Sequence, residues 1–135
     1  MIVIQLFYVL LLLLVPKTLG ISEEMQELAK QLHATCVSET GAKEDDISNA
    51  VKGIFSEDEG FKCYLKCLMS QMAIIDDDGT IDVEAMVAIL PDELVEHATP
   101  IVRKCGSIKG SNACDSAWLT HQCYYREGPE HYFLF

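Results

Sequence analysis

Six cysteines constrain this chain more than any other feature: Cys36, Cys63, Cys67, Cys105, Cys114 and Cys123 all fall after residue 35. An even number in a short chain predicts three disulfides, provided the chain is exported to an oxidising compartment. The amino terminus meets that condition. Residues 2–15 are apolar except for Gln5, and Pro16-Lys17-Thr18-Leu19-Gly20 follows. An apolar core ahead of a small-x-small site is the pattern of a secretory signal peptide. The run is shorter than the roughly 18 residues needed to span a bilayer, which favours a cleaved leader over an anchor. Residues 1–20 are therefore read as the leader and residues 21–135 as one domain.

Beyond the leader, apolar residues recur with the 3.6-residue period of helices and no stretch alternates convincingly as a strand. The domain is predicted to be all-α. Ser22, Glu23 and Glu24 cap a first helix with Met25, Leu28, Leu32 and Cys36 on one face, and Gly41 closes it. A second helix covers residues 43–52, with Ile47, Ala50 and Val51 turned to one side. The third starts near Ser56-Glu57-Asp58, carries Phe61, Tyr64, Leu65, Cys67, Leu68, Met69 and Met72, and ends before a turn at Asp76-Asp77-Asp78-Gly79. Asp82 caps a short fourth helix over residues 83–89. Pro91 opens a fifth, which Pro100 should kink or shorten. Asn112 caps a sixth that runs to about Arg126, where Gly128-Pro129 releases the tail Glu130-His131-Tyr132-Phe133-Leu134-Phe135.

Helical spacing limits how the thiols pair. Cys63 and Cys67 are four residues apart, about 40° around the third helix, so they share a face. Cys114 and Cys123 are nine apart and point to opposite sides of the sixth. Neither pair is suited to bond within itself, which leaves about ten of the 15 pairings open. Each bridge contributes about 2–4 kcal/mol, enough to hold short helices around an imperfectly filled core.

Composition and motifs exclude several functions. Net charge is −11, or −12 without Lys17, and an acidic chain repels phosphate backbones, so nucleic acid is not an expected partner. Asp76-x-Asp78-Gly79-x-Ile81 imitates part of a calcium-binding loop. Its first and twelfth positions would be Ile74 and Ala85, neither of them a ligand, so a polar turn is the better reading. No metal or cofactor is expected. The histidines, His33, His97, His121 and His131, belong to no nucleophile or metal motif, and the chain is read as a non-enzyme.

The full cysteine spacing, x26, x3, x37, x8 and x8, resembles that of the insect odorant-binding proteins. Asp77-Asp78-Gly79, Leu90-Pro91-Asp92, His121-Gln122-Cys123 and the terminal His131-Tyr132-Phe133-Leu134-Phe135 make it similar to the general-odorant and pheromone-binding branch with a long tail. That resemblance implies six short helices around an apolar cavity, with bridges Cys36–Cys67, Cys63–Cys114 and Cys105–Cys123. It implies a secreted carrier in sensillar lymph or another extracellular fluid. Such a carrier moves small hydrophobic odorants or pheromones to a membrane odorant receptor, and homodimers are common in the family. Alternatives are a non-olfactory carrier of hydrophobic ligands and a saposin-like lipid-binding protein, although the latter would want a basic amphipathic face.

Residues expected at the cavity wall are Met69, Met72, Val83, Met86, Leu90, Leu94, Ala98 and Ile101 from the helical stripes, joined by His121, Tyr124, Phe133 and Leu134. Methionine suits a wall that must adapt to different guests. Trp118 faces either the cavity or a packed helix. An apolar tail is costly to leave in water, so residues 128–135 are expected to fold back over something apolar, and the resemblance implies that they form a lid. In related long-tailed members this segment closes the cavity and responds to pH. The Phe135 carboxylate then needs donors, for which Tyr64 and His33 stand at the matching positions. A His33–Phe135 ion pair would be strongest at mildly acidic pH, while protonating His121 against the pocket would expel an apolar ligand.

Overall fold

The computed structural model describes residues 23–134. The expected leader, the expected cap Ser22 and the terminal Phe135 lie outside the described residues. Six helices follow in chain order: α1 (Glu23–Thr40), α2 (Glu44–Ala50), α3 (Glu59–Gln71), α4 (Val83–Ala88), α5 (Val95–Cys105) and α6 (Ala113–Glu127). A single 3-10 turn, Pro129–His131, leads into the tail. Among the described residues the only β pairing is an isolated antiparallel bridge between Ile75 and Ile81.

The helix ends obey local chemistry. Gly41 stands at φ +68°, a left-handed value that glycine adopts without strain, and its N–H donates to the Val37 carbonyl at 2.9 Å. The Asp82 side chain accepts from the Ala85 N–H, and the Asn112 side chain accepts from the Asp115 N–H at 2.8 Å. Both are the N-caps expected from sequence. The triple-aspartate turn is held by its own side chains. Asp76 and Asp78 both accept from the Thr80 N–H, and the Lys109 ammonium bonds Asp78 and the Thr80 hydroxyl.

α3 is the axis of the core. Phe61, Tyr64 and Leu65 have no exposed surface, and α3 packs against α1 on one side and α6 on the other. The α6 face brings Ala117 and two buried hydroxyls. Thr120 donates to the Ser116 carbonyl at 2.8 Å, and Ser116 donates to the Asn112 carbonyl while accepting from Gly110 N–H. These polar groups are satisfied, so they cost little to bury. Trp118 packs at the edge of this core with the Lys62 ammonium 4.1 Å above its ring, and it is not part of the cavity wall.

The bridges are Cys36–Cys67, Cys63–Cys114 and Cys105–Cys123. They join α1 to α3, α3 to α6, and α6 to the end of α5, and α6 is clamped on opposite sides. The closed segments span 31, 51 and 18 residues. Chain entropy then gives each bridge about 3–4 kcal/mol. α2, α4 and the tail carry no bridge.

Four local expectations need correction. α5 does not start at Pro91: the Pro91 carbonyl accepts from both the Leu94 and Val95 N–H groups, which makes a turn that delays the helix to Val95. The helix then continues through Pro100, whose missing N–H falls in its second turn. α2 stops at Ala50 rather than residue 52, and Val51 points outward at 47 % exposure. α3 begins at Glu59, later than Ser56, because the Ser56 hydroxyl is engaged in a turn with the Asp58 N–H. Leu28 is half exposed, because the apolar stripe of α1 continues past the neighbours that bury Leu32 and Cys36.

Candidate functional site

Four helices and the tail line an apolar cavity of about 70 Å³. α3 contributes Leu68, Met69 and Met72, and α4 with the turn after it contributes Met86, Ile89 and Leu90. α5 adds Ala98, Ile101 and Val102, and α6 adds His121 and Tyr124. Gly128, His131, Tyr132, Phe133 and Leu134 complete the wall from the chain end. The i, i+3, i+4 stripes on α3 to α6 are what bring these positions to one side.

Most of the residues expected at the wall are brought together there: Met69, Met72, Met86, Leu90, Ala98, Ile101, His121, Tyr124, Phe133 and Leu134. Val83 and Leu94 are not among them. Val83 is the first residue of α4 and packs at the edge of the cluster formed by Leu90, Val102, Cys105, Cys123 and Tyr124. Leu94 sits on the turn before α5, so the stripe drawn from Leu90 through Leu94 to Ala98 is broken by the late helix start. Leu68, Ile89, Val102, Gly128, His131 and Tyr132 were missed. Leu68 and Val102 lie beside expected positions on α3 and α5 and Ile89 lies beside Leu90 on the turn after α4, whereas Gly128 and the tail residues carry no periodic signal.

The tail is anchored by aromatic contacts. The Tyr132 hydroxyl bonds Nδ1 of His121 at 3.0 Å. Its ring meets Phe55, Tyr125 and His121 in edge-to-face contacts with centroids 5.7–5.9 Å apart. Such pairs contribute about 0.5–1.5 kcal/mol each beyond their buried area. The Ile101 methyl packs where a side chain on Gly128 would stand, so a larger residue there would push the Ile101 side chain aside.

Burial sets the protonation of the wall. His121 has no charged partner and its pKa is pushed down to about 4 by desolvation. Tyr124 and Tyr132 are pushed far above the usual phenol value by the same cause. His121, Tyr124 and Tyr132 are therefore neutral at neutral pH. One turn of α3 before Leu68, Tyr64 meets His33, which uses both ring nitrogens: Nδ1 lies 2.8 Å from the Tyr64 hydroxyl and Nε2 lies 2.8 Å from Glu44. Burial, with the Glu44 charge behind it, raises the Tyr64 pKa. The expected acceptor for this pair, the Phe135 carboxylate, lies outside the described residues.

A second apolar surface adjoins the cavity. Met25, Leu28, Leu32 and Pro91 border an open groove of about 500 Å³, and Met72, Ile89 and Leu90 belong to both. Among the described residues no group of three or more metal-ligating side chains comes together, and no helix is long and apolar enough to cross a membrane.

A helical frame braced by three bridges around an apolar hollow is the construction of a carrier for hydrophobic small molecules. Residues 20–127 match the PBP/GOBP family, and the chain belongs to it: it is an insect odorant-binding protein by family. Over 123 residues it is 33 % identical to general odorant-binding protein 69a of Drosophila melanogaster, covering 87 % of this chain and 83 % of that one. Among solved structures it is similar to odorant-binding protein 1 of Locusta migratoria, with TM-score 0.75, 33 % identity, and 84 % and 88 % of the two chains covered. It is also similar to odorant-binding protein 7 of Anopheles gambiae in complex with an azo compound, with TM-score 0.69, 28 % identity, and 79 % and 88 % covered. The family is one of ligand carriers and not of enzymes, and the match sets aside the saposin-like alternative.

Proposed function

We propose that this chain, freed of residues 1–20, is an extracellular carrier that takes a small odorant or pheromone-like molecule into the cavity between α3, α4, α5, α6 and the tail. It then delivers that molecule to a membrane odorant receptor. The observation that carries this reading is the contrast between a braced frame and unbraced walls. α1, α3, α6 and the end of α5 form one covalent ladder, whereas α4 has no fully buried residue and neither α4 nor the tail carries a bridge. The described cavity holds about 70 Å³, while a cavity of roughly 150 Å³ is what accepts benzene. A larger guest must displace wall groups. The three methionines, α4 and Tyr132-Phe133-Leu134 are the parts that can give way. The tail thus serves as a lid, latched through Tyr132.

Affinity comes from burying ligand apolar area, and micromolar Kd (about −8 kcal/mol) is the expected scale. Displacement of a fluorescent apolar probe by a panel of odorants tests the reading. Saturable displacement at micromolar concentration supports it. Co-sedimentation with lipid vesicles in place of small-molecule displacement would overturn it.

A further inference from the structure

The cavity wall offers one unusual feature inside an otherwise apolar lining. Nε2 of His121 and the hydroxyl of Tyr124 are both buried with no hydrogen-bond partner. Both residues are only 6 % exposed and both line the cavity. Their rings meet edge to face with centroids 5.4 Å apart, so the two side chains share one corner of the wall. Buried polar atoms are normally satisfied, and a pair left open beside a hollow points to a ligand atom that satisfies them.

The chemistry of the pair limits what that atom can be. His121 Nδ1 is already bonded to the Tyr132 hydroxyl at 3.0 Å. When Tyr132 donates that bond, Nε2 carries the hydrogen and donates; when Tyr132 accepts it, Nε2 is a bare acceptor. Tyr124 can donate or accept. A ligand hydroxyl, itself both donor and acceptor, suits either tautomer. A carbonyl oxygen suits only the first. A carboxylate would have to be buried without a countercharge, because the described lining residues include no Lys or Arg. The other basic group in the wall is His131, which is half-buried and stacked on His97 at 4.8 Å.

Resting on the carrier reading, we infer that the His121–Tyr124 corner is a head-group site that selects neutral, singly oxygenated ligands over fatty acids of equal chain length. Alcohols rank first, and aldehydes and ketones follow.

The test is competition for a fluorescent apolar probe at pH 8, where histidines in the ordinary range are neutral. The competitors are 1-octanol, octanal, octanoate and 1-chlorooctane, whose head is apolar. The structure predicts that octanoate binds at least about ten-fold more weakly than 1-octanol. In Tyr124→Phe, which keeps the ring, the Kd of 1-octanol rises by about five-fold while that of 1-chlorooctane stays within about two-fold. Octanoate binding as tightly as 1-octanol to the native chain overturns the inference, whatever the variant does. Equal shifts for the alcohol and the chloride in Tyr124→Phe overturn it too. A series in which none of the four displaces the probe overturns the carrier reading itself. Displacement without head-group preference overturns this inference alone.

Discussion

His121 makes the folded protein sensitive to acid, by an amount that follows from its burial. The imidazole has only Tyr132 as a bonded partner and no carboxylate against it, so burial alone sets its pKa at about 4. In the unfolded chain the same group titrates near 6.5. The unfolded state therefore takes up the proton first, and the contribution of neutral His121 is fully present above pH 6.5 and lost as pH falls toward 4. Linkage gives a loss of about 2 kcal/mol at pH 5 and about 3 kcal/mol at pH 4, relative to pH 8. Urea denaturation at pH 8, 6, 5 and 4.5 measures it. Other carboxylates and histidines titrate over the same interval, so the comparison is with His121→Gln, which cannot take up the proton. The native chain should lose about 2 kcal/mol more than the variant between pH 8 and pH 5. Parallel pH profiles for the two chains would refute the reasoning, because they would mean that His121 is solvated or charged in the fold.

Other perturbations have defined outcomes. Gly79→Ala should lower stability by about 2 kcal/mol or more, read by thermal denaturation. The backbone there stands at φ +85°, and a Cβ would lie 3.0 Å from the Ala113 Cα and 2.9 Å from the Ser116 hydroxyl. Asn112→Ala removes the side-chain acceptor for the Asp115 N–H and should cost about 1 kcal/mol in urea denaturation, with little change in ligand Kd. The double variant Cys36→Ser/Cys67→Ser opens the link between α1 and α3 and should cost about 3–4 kcal/mol. Tyr132→Phe removes the hydroxyl that bonds His121, and stopped-flow dilution should show faster release of a bound probe, by about five-fold.

Much of the frame was legible because its signals are local. Asp82 and Asn112 are capping residues that announce helix starts, and Gly41 announces an end. The four-residue spacing of Cys63 and Cys67 placed both thiols on one side of α3, whose two bridges now run to α1 and α6. What was not legible depends on distant partners. Periodicity marks Leu28 and Val51 as apolar positions, but their exposure depends on where neighbouring helices end. Pro91 looks the same opening a turn as opening a helix, and that ambiguity displaced Leu94 from the wall. The anchor of the tail joins Phe55 and Tyr132 from irregular segments to Tyr125 and His121 on α6, and no period connects them. His33 similarly meets Tyr64 and Glu44 across 31 and 11 residues.

Methionine methyl groups report directly on whether the hollow is where a guest resides. Met69, Met72 and Met86 line the cavity, Met25 borders only the outer groove, and Met1 lies outside the described residues. With methyl-13C methionine, titration with 1-octanol is followed by NMR. The Met69 and Met86 signals should shift saturably along with Met72, while Met25 stays in place. Saturable binding that moves Met25 and Met72 but leaves Met69 and Met86 unchanged would put the guest in the groove and contradict the account.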